Sequence, residues 1–205
     1  MHMDFITGAL PESVIVGGKS YAVRWDYRIG MQFDRIRSDA CSDENKFIRI
    51  LQLYYPVIPN DLEKAMDAIL WFYRGGEDPA EETEENQRYQ RRNSKEPAYS
   101  FLQDAPYIYA AFREQYGIDL LECKMHWWKF MALFESLSED TKMSKIMYYR
   151  KANTSGMPKE RRAFVNEMKK LYQIKSKSGK TVTLNERDRR WKDYVSERMK
   201  AAANK

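Results

Sequence analysis

The first apolar runs of the chain alternate, and the later ones recur at helical spacing. Val14-Ile15-Val16 is β-branched, and Tyr21-Ala22-Val23-Arg24-Trp25 alternates large apolar with smaller or charged residues. Gly17-Gly18 between them supplies the positive φ angles of a tight primed turn, so the pattern predicts a β-hairpin. Helical periods follow. Tyr27 to Arg37 carries Ile29, Phe33 and Ile36 on one side; Ser42 caps a segment with Phe47, Ile50, Leu51 and Tyr54, stopped by Pro56 and Pro59. Asn60 is placed to cap a helix whose Leu62, Ala65, Met66, Ile69, Leu70 and Tyr73 share a face, with Gly75 where a C-terminal glycine belongs.

A second helical stretch begins with Asp104 as expected N-cap, followed by Ala105, Ile108, Tyr109, Phe112 and Tyr116 in one stripe and Gly117 as terminator. The next helix holds Trp127, Phe130, Met131, Phe134 and Leu137; a third, entered through Glu139-Asp140 and Thr141, carries Met143, Ile146 and Met147. Met157-Pro158 opens another, with Phe164, Met168 and Leu171 expected to face inward. After a flexible break at residues 175–180, Asn185 caps a last helix carrying Trp191, Tyr194, Val195 and Met199. The fold class is therefore mainly α, a helical domain with a short N-terminal β-hairpin. The stretches divide into residues 1–76 (hairpin plus helices), 77–98 (charged linker or mobile loop), 99–156 (aromatic-rich helical unit) and 157–205 (basic helical C-terminal region).

Composition narrows the class. Of the 205 residues 43% are hydrophobic and 14% aromatic, enough for a packed core. No run approaches a membrane span, and two unspaced cysteines, Cys41 and Cys123, suit a reducing cytoplasm. The opening Met1-His2-Met3 reads as an addition ahead of a natural start at Met3, so His2 enters no site. Net charge is +5, yet residues 157–205 hold fifteen Lys and Arg against six Asp and Glu, which leaves residues 1–156 at −4. That asymmetry fits either a surface for nucleic acid or an acidic partner, or a solubilising face.

Candidate chemistry is sparse. Gly17-Gly18-Lys19-Ser20 ends like a phosphate-binding loop, but Ser13 stands where the first glycine belongs and a strand, not a helix, follows. Cys123 and His126, three apart and expected on one helix, are two ligands short of a zinc site. No catalytic residue, metal or cofactor is expected. Trp127 and Trp128, adjacent on a helix, point about 100° apart, so one is expected in the core and the other at a second surface, against a neighbouring unit or a partner.

Several blocks together resemble a bacteriophage family, that of gene product fifteen. They are Gln103-Asp104-Ala105 with Tyr109-Ala110-Ala111-Phe112, then Tyr116-Gly117-Ile118-Asp119-Leu120, and His126-Trp127-Trp128-Lys129-Phe130 with Ala132-Leu133-Phe134. Val16-Gly17-Gly18-Lys19 and Leu70-Trp71-Phe72-Tyr73 with Gly75-Gly76 also match, so the similarity spans most of residues 12–155. The resemblance implies a non-enzymatic protein of tail-assembly modules in phages and prophages of Gram-positive bacteria, encoded beside the tape-measure gene and working in the host cytoplasm. It carries over no catalytic residue. The expected partner is the amphipathic tape-measure protein or another tail component, with self-association allowed, met through Trp127, Trp128, Phe130, Trp191 and Tyr194. The alternative is nucleic acid held by Arg161, Arg162, Lys169, Lys170, Arg187 and Arg190, against which stand the interrupting acids and the lack of a recognised nucleic-acid module.

Overall fold

A computed structural model describes residues 5–77 and 97–175. Among these residues β1 (Ser13–Val16) and β2 (Lys19–Ala22) precede seven helices: α1 (Tyr27–Arg37), α2 (Asp43–Tyr54), α3 (Leu62–Tyr73), α4 (Ala105–Tyr116), α5 (Trp127–Glu135), α6 (Lys142–Lys151) and α7 (Lys159–Leu171). The chain is mainly α with an N-terminal hairpin, as its periodicity predicts. The expected final helix from Asn185, and nearly all of the charged stretch 77–98, lie outside the described residues.

In the hairpin Val16 pairs with Lys19 across a two-residue turn, and Gly17 and Gly18 take φ values of 56° and 77°. Positive φ at both positions is what a primed turn demands, and it leaves Ser20 at the start of a strand rather than of a helix. Val14 and Val16 are buried where β1 lies on α3, and Ile15 points outward.

The described residues form two packed units. The first comprises residues 5–77 together with 124–132; the second comprises residues 97–123 and 133–175. The segment around Trp127 thus joins the N-terminal helices, which a division by consecutive stretches places apart from it.

Helix ends in the first unit are closed by side chains. Asp26 accepts from the Arg28 N–H at the start of α1, and Ser42 accepts from the Asn45 N–H at the start of α2. Asp61, one residue beyond the expected Asn60, caps α3 by accepting from the Lys64 N–H at 3.1 Å. At the other end of α2, the Arg24 guanidinium donates to the carbonyls of Gln52, Leu53 and Tyr55 at 2.8–3.1 Å. A cation on carbonyls without helical partners also complements the helix dipole. Tyr55 then ties α2 to α3 by donating its hydroxyl to the Ala65 carbonyl at 2.8 Å. Between them Phe33, Ile50, Tyr54, Met66, Ile69 and Phe72 are sealed from solvent.

The second unit packs Phe101, Ile108, Phe112, Phe134, Met143 and Ile146. Thr141, the last residue of the expected entry, caps α6, and Gly117 ends α4 at φ 67°. Asp104 departs from its expected role, because its side chain caps nothing on α4. Its carboxylate instead receives both ends of the Arg150 fork, Nη1 at 2.6 Å and Nη2 at 2.8 Å, with the two side chains 2% and 5% exposed. Asp104 also accepts from the Ser100 N–H, and Arg150 donates to the carbonyls of Ala98 and Tyr172. One ion pair therefore gathers the entry to α4, the end of α6 and the turn after α7. The packing of α7 is rotated from expectation: Val165 is the buried residue, while Phe164 and Leu171 are 49% and 65% exposed.

Removing one partner of a buried pair strands the other charge. Arg150→Met is expected to cost about 3–5 kcal/mol in urea unfolding, and adding Asp104→Asn should recover part of that loss.

Candidate functional site

The aromatic segment singled out by sequence begins without helix. Cys123 and His126 both precede α5, which starts only at Trp127, so the two are not one turn apart on a helix face. Here residues 25–27 and 125–127 meet as a short antiparallel bridge between Asp26 and His126. The Tyr27 N–H donates to the Met125 carbonyl at 2.9 Å, and the Trp127 N–H to the Trp25 carbonyl at 2.8 Å. Each donor is the first residue of a helix and would otherwise lack a helical acceptor.

The pairing is reciprocal. Asp26 accepts from the second N–H of α1, and His126 Nδ1 accepts from the second N–H of α5, that of Trp128, at 3.1 Å. Tyr27 stacks on Phe130, the fourth residue of α5, with ring centroids 5.0 Å apart. Trp127 in turn lies over Gly30, the fourth residue of α1, where any Cβ would collide with the indole ring. A glycine inside a helix is unfavourable alone, and here it makes room for the indole.

The two indoles finish α3. Trp127 Nε1 donates to the Tyr73 carbonyl at 2.8 Å and Trp128 Nε1 to the Phe72 carbonyl at 2.6 Å. Tyr73 stacks on Trp127, and Trp71 meets Trp128 edge to face. Gly76, at φ 86°, passes under Trp128, whose Cη2 a Cβ would approach to 2.7 Å. Trp127, Trp128 and Phe130 are 1%, 4% and 0% exposed. The expectation that they present a partner surface is thus corrected: the divergence of adjacent helical side chains is used to grip two consecutive carbonyls within one unit.

His126 is part of the same grip. Its Nε2 lies 3.0 Å from the Pro11 carbonyl, which requires a donated N–H, while Nδ1 accepts, so the ring is neutral. Burial pushes its pKa below the ordinary 6.5, against the opposing pull of the Pro11 hydrogen bond and the Glu12 charge. Both ring nitrogens are taken, and among the described residues no group of three His, Cys, Asp or Glu is placed to hold a metal ion.

Of the expected basic surface, Arg161, Arg162 and Lys170 are exposed on α7 and Lys169 is half-buried. Arg187, Arg190, Trp191 and Tyr194 lie outside the described residues. Among the described residues no helix is long and apolar enough to cross a membrane.

Two outcomes follow for the aromatic grip. Gly30→Ala should destabilise by about 3 kcal/mol or more in chemical unfolding, and in combination with Trp127→Phe the two costs should be less than additive. For His126 the depressed folded pKa means that its contribution is complete above 6.5 and is lost as pH falls below that value. Unfolding midpoints measured from about pH 8 down to about pH 5 should therefore fall in the parent, with a flatter slope in His126→Asn.

No curated protein and no solved structure matches the chain. The profile of the bacteriophage Gp15 protein family matches residues 6–174, a span that takes in the hairpin, the paired helix starts, the indole grip and the Asp104–Arg150 pair. The chain belongs to the bacteriophage Gp15 protein family.

Proposed function

We propose that this phage protein is a non-enzymatic tail-assembly factor, a chaperone that covers the apolar stripes of the amphipathic tape-measure protein in the host cytoplasm before the tail tube encloses them. Membership of the Gp15 family supports the setting, since the resemblance implies a tail-assembly module beside the tape-measure gene. The observation that carries the mode of action is the exposed apolar surface of α6 and α7, where Tyr148, Phe164 and Leu171 stand 49%, 49% and 65% exposed. Apolar side chains exposed on a helix face suit helix-in-groove binding, in which an amphipathic partner lays its own stripe on the surface. A long helical chain awaiting assembly is prone to aggregate through such stripes. Several copies bound with modest affinity would protect it and still release it. The aromatic cluster at Trp127 serves this activity indirectly, as the scaffold of the first unit.

Co-expression with the tape-measure protein of the same genome tests the reading. The expected outcome is salt-resistant co-elution, with the tape measure soluble only in the presence of this chain. Failure to associate, with salt-sensitive nucleic acid carried through the column, would overturn it in favour of nucleic-acid binding by the basic residues of α7 and the tail.

A further inference from the structure

Helix α7 is seated off its apolar axis. At about 100° per residue, Phe164 and Leu171 fall nearly on one line, Met168 stands beside them, and buried Val165 lies about a quarter-turn round from Phe164. The helix packs through Val165 and half-buried Met168, so the Phe164–Leu171 line stays open. Phe164 meets Tyr149 of α6 edge-on at 6.0 Å, and Tyr149 meets exposed Tyr148 at 5.7 Å. The result is a strip of apolar and aromatic side chains across two helices of the second unit.

On α7 the charges beside this strip are sorted by sign, while α6 brings the exposed Lys142, Lys145 and Lys151 and no acid to its own side. Glu160 and Glu167 are the two acids of α7, seven residues apart, and their angular positions border the Phe164–Leu171 line on the side away from Val165. Both are exposed. Lys159, Arg162, Lys169 and Lys170 fall at least about 100° from the Phe164–Leu171 line, and only Arg161 stands nearer, on the Met168 side. A helix with five basic and two acidic residues thus borders its open apolar line with both acids. Phe164, Met168 and Leu171 have the four-then-three spacing of a coiled-coil seam, which puts Glu160 and Glu167 at the flanking positions where interhelical ion pairs set partner choice.

We propose that this strip docks an amphipathic helix of another protein, one whose apolar stripe is bordered by Lys or Arg on the edge that meets Glu160 and Glu167. The inference rests on the chaperone reading and goes further, naming the surface and the charge of the helix it takes. Apolar contact with Phe164, Leu171 and Tyr148 supplies the attraction. Glu160 and Glu167 supply the choice, because an acid-bordered helix would set like charges against them. Of the basic side chains of α7, all but Arg161 lie away from the docked helix.

The test uses the full chain and two labelled synthetic peptides of equal length and apolar spacing, one bordered by Lys and the other by Glu, followed by fluorescence anisotropy. The Lys-bordered peptide should bind at least about tenfold more tightly. Phe164→Glu should abolish binding, and the exposed pair Glu160→Lys with Glu167→Lys should reverse the preference while leaving the thermal melt unchanged. Equal binding of both peptides, binding of neither, or a preference untouched by the charge swap would overturn the proposal. Pull-down of the tape-measure protein separates the two readings. Capture by parent and charge-swapped chains alike sinks the surface and keeps the chaperone; peptide discrimination without capture of the tape measure keeps the surface and sinks the chaperone.

Discussion

The last turn of α3 hands its Tyr73 carbonyl to the indole N–H of Trp127, and its Phe72 carbonyl takes the indole N–H of Trp128 beside the Gly75 N–H. Withdrawing a carbonyl from water without a donor costs about 1–3 kcal/mol, so the Trp127 contact favours this position for the start of α5. Everything near it follows from that position. Trp127 can reach Tyr73 only across the surface of α1, which is why Gly30 has no side chain, and Trp128 can reach Phe72 only over Gly76. With the indoles so placed, the N-termini of α1 and α5 face each other closely enough to exchange their first N–H groups for chain carbonyls. His126 completes the arrangement by holding Pro11 on one ring nitrogen and the Trp128 N–H on the other.

The second unit solves its closure by a different interaction. Its aromatic core is gathered by Asp104 and Arg150, a charge pair withdrawn from solvent and surrounded by backbone partners from Ala98, Ser100 and Tyr172. Such a pair adds little net stability over an apolar replacement but allows few alternative arrangements, because Arg150 Nη1 and Asp104 Oδ2 each serve two partners at once. α7 is held at its far end by this network and along its length chiefly by Val165. Hence the helix can be anchored firmly and still leave Phe164 and Leu171 uncovered.

Much of the fold is legible in the sequence, for identifiable reasons. Local signals read correctly: Gly17-Gly18 needs positive φ, Ser42 caps α2, and Gly117 ends α4. Long-range partners are not encoded locally. Asp104 looks like a cap because caps use short acids, and only Arg150, a cation lying on the apolar Met143–Ile146 line, hints that a buried carboxylate waits elsewhere. The inward side of α7 is misjudged because periodicity locates an apolar stripe without saying how much of it a neighbour covers. The same limit applied to Trp127-Trp128: pattern marks them as important, and only the carbonyls of Phe72 and Tyr73 show that their importance lies within the core.

The contacts between the two helix starts join positions one hundred residues apart, Asp26 and His126. The chain is made from its N-terminus, so the end of α3 stays without its indole partners while residues 77–123 are being made. The first unit is therefore completed by a late strand of chain. Its assembly is bounded by loop closure over that whole interval rather than by the quick formation of its own helices.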